Sequence, residues 1–204
     1  MAETTTSSAL DERDGFLFLG NNLVLDFLNT CPVLNGEPTE LLPDLVAVLR
    51  WFHAAGLLTA SEVADLGSTR ARSLASALRN LREILRTEIL AWQDTGKLHR
   101  AVIEELNRLM SDHPMLTRVK RDTNGIATEL WFKATEPEDL FAPLAHSAAM
   151  LFSSDHRSRI RKCANCVLHF YDDSKKGTRR WCSMQLCGNR SKVAAYAARQ
   201  RSSK

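Results

Sequence analysis

Apolar residues recur at steps of three or four through the first two thirds of the chain, the spacing that places them on one face of an α-helix. In the longest run, Leu74, Leu81 and Ile89 belong to the apolar face and arginines occupy the opposite side. Thr59 and Glu62 have the spacing of a capping box, in which hydroxyl and carboxylate each satisfy a backbone N–H at the start of a helix. The pattern predicts four helices here, over residues 44–55, 59–67, 69–94 and 97–110.

Less regular segments precede these helices. Residues 1–15 are rich in Ser, Thr and acidic side chains, a composition typical of a disordered terminus. A turn signal at residues 20–22 then leads into a continuous apolar run over residues 23–30. Periodicity does not distinguish a strand from a buried helix in so short a run, and we favour a short helix that ends near Pro32.

The pattern changes after the fourth predicted helix. Residues 116–120 and 126–132 combine alternation with β-branched and aromatic side chains, and the Asn-Gly pair at 124–125 is a strong hairpin signal. A two-stranded hairpin is therefore predicted. Beyond it, Thr135 and Glu138 again have capping-box spacing and predict a helix that leads towards the C-terminal segment.

Composition excludes several classes of protein. The chain has 204 residues, of which 44% are apolar and 25% charged, as expected of a globular protein with one ordinary core and a small appendage. No apolar stretch approaches the roughly 20 residues that a membrane helix needs. The N-terminus shows neither a basic start nor an apolar signal region. We therefore expect a cytoplasmic protein without a membrane partner and with reduced cysteines.

The net charge of +3 conceals an uneven distribution. Residues 1–156 hold 14 Lys and Arg against 22 Asp and Glu, whereas residues 157–204 hold 13 against 2. The C-terminal part thus carries +11 and the remainder −8. This asymmetry indicates an anionic partner for the C-terminal part, nucleic acid before membrane surface, although a solvated basic tail would have the same composition.

Four of the five cysteines lie close together in the basic part. A pair with the spacing of a zinc knuckle, Cys163 and Cys166, is followed after fifteen residues by Cys182 and Cys187. Four thiolates complete a tetrahedral shell, so we expect one structural Zn²⁺ and no open position for catalysis. The alternatives are two disulfides, which a reducing compartment disfavours, and a redox Cys-x2-Cys site, which lacks a thioredoxin-like frame.

The spacing also predicts the form of this small domain. Residues 167–171 and 178–181 flank a polar turn and predict a short hairpin between the cysteine pairs. A helix should begin near Cys187, where its N-terminal N–H groups favour a thiolate. A knuckle, a hairpin and a helix together indicate a treble-clef-like or ribbon-like zinc finger, which needs the metal because it has few large apolar residues.

Basic and polar side chains in the finger are candidates for contacts to DNA. Phosphate contacts would supply affinity, and an arginine that reaches a guanine would supply specificity. Arg190 and Asn189 have an equally good interpretation as supports of the zinc turn. The candidate nucleic-acid-binding residues are Lys175, Lys176, Arg179, Arg180, Asn189, Arg190, Lys192, Arg199 and Arg201.

Two segments resemble known families. The run Cys187-Gly188-Asn189-Arg190, with its flanks at 177–184 and 192–196, resembles the CGNR zinc finger. Residues 18–20 and 25–30, with 49–51 and 56–58, resemble the ABATE domain that accompanies that finger. The first knuckle is shorter than in many relatives, and zinc geometry tolerates both lengths. The resemblance implies a bacterial, stress-induced transcription regulator that binds DNA.

These observations predict a mainly α protein with a small β-hairpin. We expect a disordered segment at 1–15, an ABATE-like helical domain at 16–155 and a CGNR-type finger at 156–204. The helical domain would serve dimerisation, the sensing of a small-molecule effector or the docking of a partner. Double-stranded DNA is the expected ligand of the finger and no enzymatic activity is expected. A zinc-stapled protein-interaction module and an RNA-binding protein are the alternatives, the latter because Tyr171, Trp181 and Tyr196 are available to stack bases.

Overall fold

The computed structural model describes residues 12–34, 37–68, 71, 73–123, 125–155, 157–166 and 168–202. The α-helices in this part of the chain are α1 (Leu23–Leu28), α2 (Leu45–Ala54), α3 (Ala60–Gly67), α4 (Leu74–Thr95), α5 (Arg100–Asp112), α6 (Phe141–Phe152) and α7 (Asn189–Ser202). The strands form antiparallel pairs in chain order, β1 (Glu12–Arg13) with β2 (Phe16–Leu17), β3 (Val33–Leu34) with β4 (Glu37–Pro38), β5 (Leu116–Asp122) with β6 (Gly125–Trp131), and β7 (Ile160–Lys162) with β8 (His169–Tyr171). The expected mainly α architecture with small strand pairs is confirmed.

The chain folds as two compact units. The helical unit comprises residues 42–157, and the finger unit combines residues up to 41 with those from 158 onwards. In the sequence, the helical unit is thus inserted between two parts of the finger unit. The domain limits expected from the sequence stay predictions, and packing groups the first part of the expected ABATE-like domain with the finger.

The helical unit is built from amphipathic helices that begin at polar caps. Asp44 accepts a hydrogen bond from the Ala47 N–H (2.9 Å) at the start of α2, and the predicted capping box of Thr59 and Glu62 opens α3. The apolar face of α4 is buried, with Leu85 and Ile89 completely so. Helix α4 begins at Leu74, later than predicted, and Ser73 before it provides no side-chain cap. Residues 69, 70 and 72 lie outside the described chain.

Helices α5 and α6 pack against each other within this unit. The buried carboxylate of Glu88 accepts hydrogen bonds from the backbone N–H (2.5 Å) and Nδ1 (2.8 Å) of His99, which precedes α5.

The expected pairing of Thr135 with Glu138 is wrong. Asp139 instead accepts from the Thr135 and Glu136 N–H groups (both 2.9 Å), because a 3-10 turn precedes α6 and shifts the cap by one residue.

One strand pair confirms a prediction and another corrects one. The hairpin of β5 and β6 forms as predicted, with Asn124 of its turn outside the described residues. Residues 12–15 were expected to be disordered but belong to the β1–β2 hairpin, because Asp14 (φ 50°) and Gly15 (φ 80°) adopt the left-handed turn that an Asp-Gly pair favours. The rest of the expected disordered segment, residues 1–11, lies outside the described chain.

The strand pairing in the finger also differs from the prediction. Strand β8 pairs with β7, which precedes the first knuckle, and not with residues 178–181. The knuckle is itself the turn of this hairpin, as the hydrogen bond from the Cys163 N–H to the Leu168 carbonyl (2.8 Å) shows. Val167 lies outside the described residues. The polar loop that was expected to be the hairpin turn folds around Asp172 instead.

Candidate metal centre and basic surface

The two cysteine pairs converge on one point. The four sulfur atoms of Cys163, Cys166, Cys182 and Cys187 all lie within 4.8 Å of one another. The Sγ atoms of Cys166 and Cys182 are 3.5 Å apart, and those of Cys182 and Cys187 are 3.7 Å apart. A tetrahedron with Zn–S bonds of about 2.3 Å has edges of about 3.8 Å. The residues therefore fit one structural zinc ion, held by the predicted ligands.

The second pair is held by a helix start. Ser183 caps a π-helical turn over Met184–Gly188, and its carbonyl accepts a hydrogen bond from the Cys187 N–H (3.0 Å). Helix α7 follows directly, so Cys187 lies in the turn that leads into it, as predicted. Asn165 of the first knuckle donates to the Cys187 carbonyl (3.2 Å) and joins the two halves of the site.

The crowding of the sulfurs changes their acid–base behaviour. A hydrogen bond from Cys182 lowers the pKa of the Cys166 thiol to about 5. Burial, together with the hydrogen bond that it donates to Cys166, raises the pKa of Cys187 to about 11. The hydrogen bond to Cys166 and burial also raise the pKa of Cys182. One thiolate is thus favoured and further ones are opposed, a conflict that a divalent cation removes.

Apolar residues enclose the cysteines. Leu168 and Phe170 on the β8 side pack with the cysteine side chains, as does Leu19 from the N-terminal part of the chain, which is 4% exposed. Leu17 and Trp181 are partly buried against the same cluster. The finger therefore has a small apolar core to which residues before helix α1 contribute.

Residues not predicted as site residues bind the backbone of β8. The side-chain amide of Asn29 donates to the His169 carbonyl (2.8 Å) and accepts from the His169 N–H (2.9 Å). The Gly20 carbonyl accepts from the Tyr171 N–H (2.7 Å), and Asn21 Nδ2 donates to the Tyr171 carbonyl (3.1 Å). Nothing in the sequence indicates this pairing, because partners about 140 to 150 residues away along the chain leave no local pattern.

The loop after β8 is fixed by the fully buried carboxylate of Asp172. One oxygen accepts from the Ser174 N–H (3.1 Å) and hydroxyl (2.6 Å), and the other accepts from the Arg179 N–H (2.8 Å). Arg159 donates to the Asp172 and Ser174 carbonyls, and Arg161 donates to the carbonyl at Gly177. Two arginines of the basic segment therefore serve the loop's own structure.

The predicted DNA contacts in this loop fall into two groups. Lys175 and Lys176 are exposed at the tip, and Arg180 is exposed with its guanidinium over the Trp181 ring (5.3 Å). Arg179 is half-buried and points inward: it donates to the Cys182 carbonyl (2.6 Å) and lies over the Phe170 ring (5.0 Å). Arg179 thus has a structural task next to a zinc ligand.

The remaining candidates belong to helix α7. Arg190 donates through Nε to the Leu186 carbonyl (3.1 Å), and its Nη2 lies 4.0 Å from Cys187 Sγ, a geometry that supports the zinc turn. Asn189, Lys192 and Arg199 are exposed. The side chain of Arg201 lies outside the described ones. Val193 and Tyr196 are also exposed, at 68% and 59%, so the described side chains of α7 show no buried apolar stripe.

No helix in the described part of the chain is long and apolar enough to cross a membrane.

Comparison with known proteins places the chain in a family. None of the curated proteins matches the chain at a significant level. The family model of the CGNR zinc finger matches residues 159–200, and the ABATE model, described as "Putative stress-induced transcription regulator", matches residues 21–155, well over half of the chain. The chain therefore belongs to the ABATE family and carries a CGNR zinc finger.

Proposed function

We propose that the finger unit binds double-stranded DNA and that the protein is a transcription regulator. The observation that carries this proposal is the division of the basic side chains in the finger unit. Arg159, Arg161 and Arg179 stabilise the fold, whereas Lys175 and Lys176 are exposed on a loop that is already ordered. An ordered loop binds phosphate with a smaller entropic cost than a flexible tail.

Helix α7 supports the same conclusion. Apart from the half-buried Ser191, its described side chains are exposed. Among these side chains there is no buried apolar stripe that would pack on the protein itself. Contacts of the exposed Lys192 and Arg199 with phosphates would bring the helix to the DNA surface. Zinc has a structural task in this proposal, since four thiolates leave no position for water, and no catalytic step is assigned to it.

The helical unit is proposed as the regulatory part, through dimerisation or the binding of a small apolar effector. A groove of about 250 Å³ between α5 and α6, lined by Leu98, Ile103 and Phe152 among others, supports effector binding. Sedimentation velocity tests dimerisation, and calorimetric titration with a panel of small apolar molecules tests effector binding. An unchanged monomer that binds none of them would contradict this assignment.

RNA binding is favoured by one observation. A surface depression of about 500 Å³ in the finger unit is lined by Arg180, Trp181 and Met184, which are able to contact an unstacked base. Because DNA and RNA would bind the same basic surface, direct competition between them distinguishes the two ligands.

The test is selection from a pool of genomic duplex fragments, followed by competition. We expect enrichment of particular duplex sequences, and we expect single-stranded RNA and polyglutamate to compete poorly. The control is Lys133→Ala, which removes an exposed cation from the helical unit and should not alter binding. Stronger competition by RNA would replace DNA with RNA as the ligand, and stronger competition by polyglutamate would favour the protein-interaction module.

A further inference from the structure

Strand β8 has two edges, and the protein covers both of them. In an antiparallel pair, successive residues direct their N–H and C=O groups alternately to opposite sides. The Leu168 carbonyl and the Asp172 N–H bond to Cys163 and Arg159, so this side of β8 faces β7. His169 and Tyr171 therefore direct their backbone groups away from β7, to what we call the outer edge of β8.

The outer edge is occupied completely by the N-terminal segment, residues 16–30. Asn29 bonds both backbone groups of His169, the Gly20 carbonyl accepts from the Tyr171 N–H, and Asn21 donates to the Tyr171 carbonyl. The segment thus acts as a neighbouring strand would, without forming one. Asn29 is 5% exposed, so its two hydrogen bonds are not replaced by water if they are lost.

The segment has a backbone shaped for this task. The Gly20 N–H donates to Asp26 Oδ1 (2.6 Å), and a Cβ at Gly20 would lie 2.7 Å from the Asp26 backbone nitrogen. Asn21 adopts a left-handed conformation (φ 52°), which asparagine tolerates better than most residues. Asn22 caps helix α1 by accepting from the Val24 N–H (3.0 Å). Each of the three residues is therefore suited to its position in this turn.

We propose that the N-terminal segment is a component of the metal centre, which positions β8 and closes the apolar cluster around the cysteines, so that segment docking and zinc retention are thermodynamically coupled. Leu19 lies in the cluster that contains Cys163, Cys182 and Cys187, so loss of the segment would open that cluster to water. The coupling is reciprocal: whatever docking adds to zinc affinity, zinc adds to docking. Residues 158–202 alone are then an incomplete zinc finger. This inference concerns the metal and does not depend on DNA binding.

The first test measures zinc release from full-length variants to an excess of a chromogenic chelator. Asn29→Asp keeps the size of the side chain but removes the donor to the His169 carbonyl, and Asn29→Ala removes both bonds. Loss of groups that hold metal ligands in place lowers affinity by about 10- to 100-fold, so release should accelerate by about tenfold or more. The matched control is Asn80→Ala, on the exposed side of α4, which should release zinc at the wild-type rate.

Glycine provides a second pair of variants. Gly20→Ala should also accelerate release, because its Cβ meets the backbone of Asp26. Gly67→Ala is the control, since a Cβ there meets only Leu49 Cδ1 at an ordinary 3.7 Å. Wild-type release rates in Asn29→Ala and Gly20→Ala would overturn the proposal.

The reciprocal test uses the wild-type protein and does not depend on whether a variant folds. Hydrogen exchange is measured with zinc bound and after chelation. We expect zinc removal to raise exchange at the amides of Gly20, Asp26 and Tyr171, while the amides of helix α4 keep their protection. Unchanged protection at Gly20 and Asp26 in the metal-free protein would overturn the coupling, because a segment that docks independently of zinc is not part of its site.

Discussion

The tip of the Asp172 loop allows the electrostatic part of DNA binding to be tested without disturbing the fold. The double variant Lys175→Ala, Lys176→Ala removes two exposed cations. The loop itself is held by Asp172, Ser174 and Gly177, through hydrogen bonds that involve neither ammonium group among the described residues. The variant should therefore retain zinc and the structure of the finger unit.

The size of the effect follows from the number of exposed cations. Six of the predicted contacts are exposed and described, namely Lys175, Lys176, Arg180, Arg190, Lys192 and Arg199. If all six meet phosphates, log K falls with log salt at a slope of about −5, since each contact contributes about −0.9. The double variant should have a slope of about −3.5. Between about 50 and 200 mM salt, wild-type affinity should fall by about 1000-fold and that of the variant by about 100-fold.

Fluorescence anisotropy with a labelled random duplex, titrated across that salt range, measures both slopes. Lys133→Ala, which removes one exposed cation from the helical unit, is the control and should keep the wild-type slope. Zinc content is determined for every variant by elemental analysis. A double variant with full zinc content and the wild-type slope would refute the assignment of the loop tip to the DNA interface.

Four further variants test the structure. Leu85→Ala, at a fully buried position of α4, should destabilise the helical unit by about 2–5 kcal/mol in urea unfolding, and a change below about 0.5 kcal/mol would contradict its burial. Cys182→Ser should abolish the single zinc seen by elemental analysis while the circular dichroism of the helical unit persists. Arg190→Ala should accelerate zinc release by about tenfold if it supports Cys187, whereas unchanged release with lost base discrimination would assign it to DNA. Burial opposes ionisation of Asp172, but hydrogen bonds from Ser174 and Arg179 outweigh it and hold the pKa of Asp172 below the usual 3.8. The contribution of Asp172 to stability is therefore present above about pH 4 and is lost as the pH falls through the lower folded-state pKa. Asp172→Asn should flatten this acid dependence in thermal melts, and an unchanged dependence would refute the role of the carboxylate.

The sequence was sufficient where the physical cause is local. Helix periodicity, the cap at Thr59 and the hairpin pattern around residue 124 act within a few residues, and the helices, the cap and the β5–β6 hairpin form at or near the predicted positions. The same holds for the cysteines, because the knuckle and the helix turn fix each pair locally. The Asp14-Gly15 pair is an equally local hairpin signal. The prediction of disorder for residues 12–15 was wrong because it rested on the composition of the whole segment 1–15.

Prediction failed where an element is chosen by a distant partner. Local pattern allows strand β8 to pair either with residues 178–181 or with β7. The pairing with β7 forms because the knuckle is a turn that returns the chain alongside β7. Asn29 lies in an apolar run that predicts only a short buried element, a helix or a strand, and its hydrogen bonds become evident only when β8 is placed beside it. A side-chain amide that replaces a β-strand partner leaves no periodic trace in the sequence.

The charge of the C-terminal part shows why a count of basic residues overstates an interface. The excess of +11 includes Arg159, Arg161 and Arg179, whose guanidinium groups donate to backbone carbonyls of the finger. These groups still attract an anion over a distance, because the field depends on charge and not on hydrogen bonding. The salt slope, however, counts the cations that displace counterions from phosphates, and half-buried groups held by backbone carbonyls contribute little to it. Association rate and salt slope should therefore respond to different arginines and lysines of the same segment, and neither is obtained from the net charge alone.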